Sequence, residues 1–140
     1  MNTTPSSSIA SAIASILIVE DSVVQRAFAV DMCRQFGIET IHQAGDGRVA
    51  LELLNGLAED PDIVLVDLEM PGMDGVELLQ EMHSRDIMIP VVIVSGRDVA
   101  MIESVARLVE ALGLPLLGGL VKPLKREALQ ALLQAFATGS

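Results

Sequence analysis

Five polar groups in this chain close apolar runs of strand length: Glu20 and Asp21 after "ILIV", Asp67 after "DIVLV", Ser95 after "VVIV" and Lys122 after "LLGGLV". In a parallel sheet all of these ends project from one edge, so three carboxylates, a hydroxyl and an ammonium would surround one crevice. Clustered carboxylates repel. At about 5 Å and an effective dielectric of about 20, each pair costs about 3 kcal/mol. A divalent cation removes that penalty, and an oxygen-only set without a nearby His or Cys suits Mg2+ or Mn2+ rather than zinc. Phosphate oxygens would complete the shell of such an ion, Lys122 would neutralise another, and the Ser95 hydroxyl and Gly96 N–H would donate to a third. Asp67 is then placed as a nucleophile that forms an acyl phosphate.

Each group has an ordinary reading when taken alone. Asp21 or Ser22 would cap a following helix; "KP" is turn chemistry, "SG" opens a loop, and "MPG" after Glu69 joins a strand to a helix. Their ordered placement at four strand ends is what points to a site.

The elements that must hold these groups alternate in period. Strands are expected at "ILIV", at residues 39–43, at "PDIVLVD", at "PVVIVSG" and at "LLGGLV". Between them the spacing turns helical: Val24, Ala27, Phe28, Met32 and Phe36 share one face, stopped by Gly37. Val49, Leu53, Leu54 and Leu57 follow the turn at Gly45-Asp46-Gly47, and Leu78, Leu79 and Met82 turn inward from residues 76–84. A long helix over 99–112 and a last one over 125–136 complete the pattern. Five such βα repeats predict an α/β fold, one parallel sheet covered by helices on both faces. Residues 1–14 read as a polar, Ser-rich, flexible leader with a helical part, 15–137 as the domain, and 138–140 as a tail or the start of a linker.

Composition agrees. A chain of 140 residues is long enough for one domain with a real core, and 51% hydrophobic residues exclude disorder. Only 2% are aromatic, so the core must be aliphatic. A net charge of −10 argues against direct nucleic-acid binding and fits solubility or metal binding. Cys33 is the only cysteine, which rules out an internal disulfide and suits a small core hydrophobe. No basic residue precedes Arg26 and the first apolar run ends in Glu20-Asp21, so neither a signal peptide nor a membrane span is expected and the chain reads as cytoplasmic.

Together "LIVEDS", "DIVLVDLEMPGMDG", "VVIVSG" and "GLVKPL" resemble the receiver domain of two-component response regulators, and "QAGDGRVALELL" resembles that family's second strand and helix. The resemblance implies a flavodoxin-like, doubly wound, five-stranded parallel sheet, (βα)5, working in a phosphorelay. It implies that Asp67 accepts a phosphoryl group from a sensor histidine kinase or phosphotransfer protein, while Ser95 and Lys122 contact that group. Glu20, Asp21 and Asp67 would hold Mg2+, Glu20 through water, and Glu69 would contribute its backbone carbonyl while its side chain lines the site and tunes dephosphorylation. The Lys122–Pro123 bond is often cis in this family. Catalysis is confined to self-catalysed phosphoryl transfer and dephosphorylation, so the chain is not expected to be an enzyme in any wider sense.

Two features depart from the family. Gly119 stands where receivers commonly carry Tyr or Phe, and the Ser95-to-Lys122 spacing is longer than a compact receiver needs, the excess falling around "AMIESVARLVEALG". Phosphorylation is therefore expected to act through the long helix and fifth strand, with a homodimer as one route. "SGRD", the extended helix and "LGGLVKPL" further resemble receivers attached to cyclic-di-GMP phosphodiesterase output domains. Of a stand-alone receiver and one whose C-terminal output domain is absent, the second is favoured. Two other functions compete. A Mg2+-dependent haloacid-dehalogenase-type phosphatase would also use "DLE", yet no acid follows at the fifth strand. A pseudo-receiver would bind partners without being phosphorylated.

Overall fold

Uninterrupted Val, Ile and Leu favour strands buried on both faces, and those faces need helices to cover them. A computed structural model, which describes residues 7–139, has this arrangement. The elements run α1 (Ser7–Ala12), β1 (Ser15–Val19), α2 (Val23–Gln35), β2 (Thr40–Ala44), α3 (Gly47–Gly56), β3 (Ile63–Asp67), α4 (Gly75–Ser84), β4 (Val91–Ser95), α5 (Val99–Ala111), β5 (Leu116–Val121) and α6 (Arg126–Thr138). The strands are parallel and lie in the order β2-β1-β3-β4-β5, the flavodoxin-like (βα)5 sheet that the sequence predicts. The chain passes from β1 out to β2 and back across to β3, so the winding reverses beside β1. That reversal opens a crevice at the carboxyl ends of β1 and β3.

Each face of the sheet has its own core. Leu17, Val19, Val64, Val66, Val91 and Ile93 pack under α3, α4 and α5, while Ile16, Ile18, Ile63, Leu65, Val92 and Val94 pack under α1, α2 and α6. Short polar side chains start four of the helices: Ser22, Asp46, Asp74 and Asp98 each accept a backbone N–H of the first turn.

Three expectations need correction. The leader is helical and packed over its described part: α1 lies against α6, with Ile9 and Ile13 wholly buried among residues that include Phe36 and Leu133. The packed unit thus includes residues 7–14 and not only those from 15 onward; residues 1–6 lie outside the described residues, as does Ser140. At the other end α6 runs to Thr138, into the expected tail, with Gly139 as its cap. Finally, α2 buries Ala29, Val30, Cys33 and Phe36, and leaves Val24 and Phe28 each 63% exposed. In α3, likewise, Ala50, Leu51 and Leu54 face inward and Val49 faces out.

Candidate functional site

The crevice is built from strand ends. Asp67 is the last residue of β3, which is buried along its whole length, so only 2% of the aspartate is exposed. Directly behind it, a Cβ at Gly75 would lie 2.5 Å from the Asp67 carbonyl oxygen and 2.8 Å from Leu68 Cα. Glycine alone lets α4 start that close to the end of β3. The third acid of "DLEMPGMDG" has local work instead: Asp74 Oδ1 accepts from Glu77 N–H at 2.9 Å and Glu77 Oε1 accepts from Asp74 N–H at 3.2 Å, a capping box.

Glu20 follows β1 and Lys122 follows β5, and the two meet Asp67 across the crevice. Lys122 Nζ lies 2.9 Å from Glu20 Oε1 and 3.0 Å from Asp67 Oδ2. One ammonium is shared by two buried carboxylates. Burial pushes Asp67 up to about 6, the neighbouring Glu20 charge adds to the rise, and Lys122 opposes it. Burial also pushes Glu20 up, but Lys122 and the Ser22 N–H, which donates to Glu20 Oε2 at 3.0 Å, outweigh it and hold that carboxyl below its usual range. For Lys122 burial acts downward, and its bonds to Glu20 and Asp67 outweigh that too, leaving the ammonium harder to deprotonate. The Lys122–Pro123 bond is cis.

Asp21 stays exposed at the mouth. Glu20, Asp21 and Asp67 each offer an oxygen, and these oxygens lie within 4.8 Å of one another. Three hard anionic donors with an open outer side fit a hard divalent cation that retains waters. Arg26, which sequence reasoning passed over, ties this turn down: its Nη1 donates to the Glu20 carbonyl at 2.7 Å and its Nε to Gln43 Oε1 at 3.2 Å. An Arg one turn into the helix after an acidic pair was the available signal.

Ser95 is fully buried at the end of β4, and its hydroxyl donates to Glu69 Oε2 at 2.7 Å. The next amide, Gly96 N–H, donates to Glu69 Oε1 at 2.8 Å. Both groups assigned to a phosphate oxygen are thus held by one carboxylate of the chain itself. Nothing in the spacing of "DLE" and "SG" announces this contact, because it depends on how the loop after β3 folds over β4.

The Gly119 departure also has a structural counterpart. A Cβ there would come within 2.3 Å of Ile102 Cγ2 of α5, and one at Gly118 within 2.8 Å of Leu132 Cδ2 of α6. The glycines let both helices lie directly on the edge strand, and Ile102 takes the room that a larger residue at 119 would need.

Comparison with known proteins agrees with this geometry. The profile of the response regulator receiver domain matches residues 16–134. The cyclic di-GMP phosphodiesterase RocR of Pseudomonas aeruginosa is 32% identical over 121 residues, covering 86% of this chain and 31% of that protein. The Regulator of RpoS of Escherichia coli is 37% identical over 110 residues, covering 79% of this chain and 30% of that protein. The chain therefore spans about a third of the length of these relatives. Among solved structures, the N-terminal domain of a response regulator/sensory box/GGDEF 3-domain protein from Carboxydothermus hydrogenoformans superposes with a TM-score of 0.72 at 26% identity, covering 89% of this chain and 94% of that one. Receiver domains bind Mg2+ at an acidic pocket and take phosphoryl groups from histidine kinases or phosphotransfer proteins. On its profile match, its relatives and its sheet order, this chain belongs to the response regulator receiver family.

Proposed function

We propose that Asp67 is the phosphoacceptor of this receiver, with Glu20, Asp21 and the Glu69 backbone carbonyl completing a Mg2+ site and Ser95 and Lys122 receiving the phosphoryl oxygens. The observation that carries this is the shared ammonium: Lys122 Nζ lies within 3.0 Å of both Glu20 and Asp67 in a crevice that closes on β3. A bound Mg2+ would supply charge neutralisation for the incoming phosphoryl oxygens. In the transfer, one Asp67 carboxylate oxygen forms a bond to phosphorus as the phosphorus–nitrogen bond to a donor imidazole breaks. The electron pair of that bond stays on the imidazole nitrogen, which takes up a proton and leaves as neutral histidine. Lys122 stays charged throughout and balances the negative charge gained at Asp67. Catalysis in this chain is limited to that transfer and the hydrolysis of its product.

The donor reading is supported by the surface beside the crevice. On α2, Val23 is 69% exposed and Val24 and Phe28 are each 63% exposed. Val24, Phe28, Pro123 and Leu124 line a cleft of about 390 Å3 that reaches Asp67 and Lys122. An apolar helix face carrying the donor histidine fits there and brings its imidazole to Asp67. Signal output is assigned to α5 and β5, where Ile102 lies directly against Gly119, and to a C-terminal output domain or a homodimer beyond them. Cyclic-di-GMP phosphodiesterase is the favoured output class, since RocR shares the receiver region. A cytoplasmic location accords with a cytosolic kinase domain as donor; no helix among the described residues is long and apolar enough to cross a membrane.

Acetyl phosphate with Mg2+, followed by intact-mass measurement, tests the reading. One phosphoryl adduct on the wild-type chain, missing from Asp67→Asn and from the wild type in chelator, is expected. An adduct that persists in Asp67→Asn would overturn the assignment. No adduct from small donors or from any kinase would make this a pseudo-receiver.

A further inference from the structure

Glu69 holds two donors at once. Its Oε2 accepts from the Ser95 hydroxyl at 2.7 Å and its Oε1 from Gly96 N–H at 2.8 Å. Ser95 Oγ commits its one proton to Glu69 and also accepts from Arg97 N–H at 3.1 Å. Gly96 stands between the lysine and this carboxylate: a Cβ there would lie 3.6 Å from Lys122 Cδ and 3.8 Å from Glu69 Oε1. Gly96 thus lies beside the stem of the lysine whose Nζ is 3.0 Å from Asp67 Oδ2. The two oxygens of a carboxylate are spaced much as two oxygens of a phosphoryl group, so one pair of donors can serve either anion but not both.

We propose that the Glu69 carboxylate is a built-in occupant of the phosphoryl-oxygen site, which holds Ser95 and Gly96 in the unmodified protein and must leave both before they can bind a phosphoryl group. This rests on the reading of Asp67 as phosphoacceptor. Glu69 is thereby a positioning residue for the transfer, acting through Ser95 and Gly96. Its two charge-assisted hydrogen bonds set a threshold that the incoming anion has to exceed. A place for the displaced side chain exists, since Glu69 and Arg97 line the same open cleft, with Met70, Asp74 and Met101. Once Glu69 has swung to that cation, the Ser95 hydroxyl is free to rotate onto the phosphoryl group.

Beryllofluoride with Mg2+ is the probe, because it forms the aspartyl adduct without turning over. It would be titrated into the full chain and into Glu69→Ala and Glu69→Asp, following the Gly96 amide in a nitrogen-edited NMR spectrum. Aspartate keeps the charge but is one methylene too short to reach both donors, so it separates occupancy from simple repulsion. The proposal expects the Gly96 amide to move upfield in both free variants, and both to bind beryllofluoride about tenfold more tightly than wild type, the scale of one charge-assisted hydrogen bond. Wild-type affinity in Glu69→Asp with tighter binding in Glu69→Ala alone would mean repulsion only and overturns the latch. Equal affinity in all three chains, or an unmoved Gly96 amide, also overturns it. If no chain binds beryllofluoride, the phosphoacceptor reading falls and the latch falls with it.

Discussion

Strand β3 has an aspartate at each end, and the fold treats the two in opposite ways. Asp62, just before the strand, sits at the closed edge of the sheet. Its Oδ2 accepts the backbone N–H of Ala14 at 2.7 Å and of Ser15 at 3.1 Å, and its own N–H donates to the Ser15 carbonyl at 3.0 Å. Each donor there is a neutral backbone amide, and the carboxylate ties the junction of α1 and β1 to the start of β3. Asp67, at the open edge, meets a second carboxylate and shares one ammonium with it. Burial with too little positive charge raises its pKa to about 6, so at neutral pH the ionised form costs stability instead of adding it. A satisfied acid is structural. An acid left short of cations is where, on the function proposed above, an ion and a phosphoryl group would add what the chain withholds.

That contrast can be pushed from either end. The largest effect on stability is expected at the closed edge, where Ile9→Ala opens a cavity in a wholly buried position and should cost about 3 kcal/mol by chemical denaturation. An unchanged midpoint would mean that α1 is not part of the core. Asp62→Ala should cost less, about 1–2 kcal/mol, through the two orphaned N–H groups, and should leave acetyl-phosphate labelling at the wild-type rate. A labelling defect in Asp62→Ala would erase the distinction between the two ends.

The smallest effect has the opposite sign. Asp67→Asn should raise the melting temperature of the metal-free protein by a few degrees and abolish the further stabilisation that Mg2+ gives the wild type. Because the folded-state pKa of Asp67 is raised from 3.8 to about 6, its contribution is fully present below pH 3.8 and is lost as pH rises through about 6. The wild type should therefore lose more stability than Asp67→Asn between pH 4 and pH 7, roughly the window those two values bracket. A melting temperature that falls in Asp67→Asn at pH 7 would show that the buried carboxylate is fully compensated.

The strands and the meeting of Glu20, Asp67 and Lys122 at their carboxyl ends were readable from the chain because both depend on short-range pattern. "DIVLVD" is apolar up to its last residue, and a parallel sheet sends every such last residue to one edge. Helix faces were harder. In α2 the large residues Val24 and Phe28 drew the inward face toward themselves, whereas the buried stripe contains the small Ala29 and Cys33. Exposed large apolar groups beside a functional crevice defeat a rule that assumes the largest residues go inside. The burial of α1, though not its helical form, was missed for the opposite reason: Ile9 and Ile13 are one helical turn apart within Ser and Ala, too brief a repeat to separate from a leader. The Glu69 contact to Ser95 and Gly96 joins two loops and leaves no local trace.

The most direct measurement of the central claim is to label the chain with acetyl phosphate and Mg2+, reduce the product with borohydride, and sequence the peptides by mass spectrometry. Reduction converts an aspartyl phosphate to homoserine, and the account predicts homoserine at position 67 and nowhere else. Homoserine at 21, a reduced glutamate at 20 or 69, or a labelled chain with Asp67 intact would contradict it.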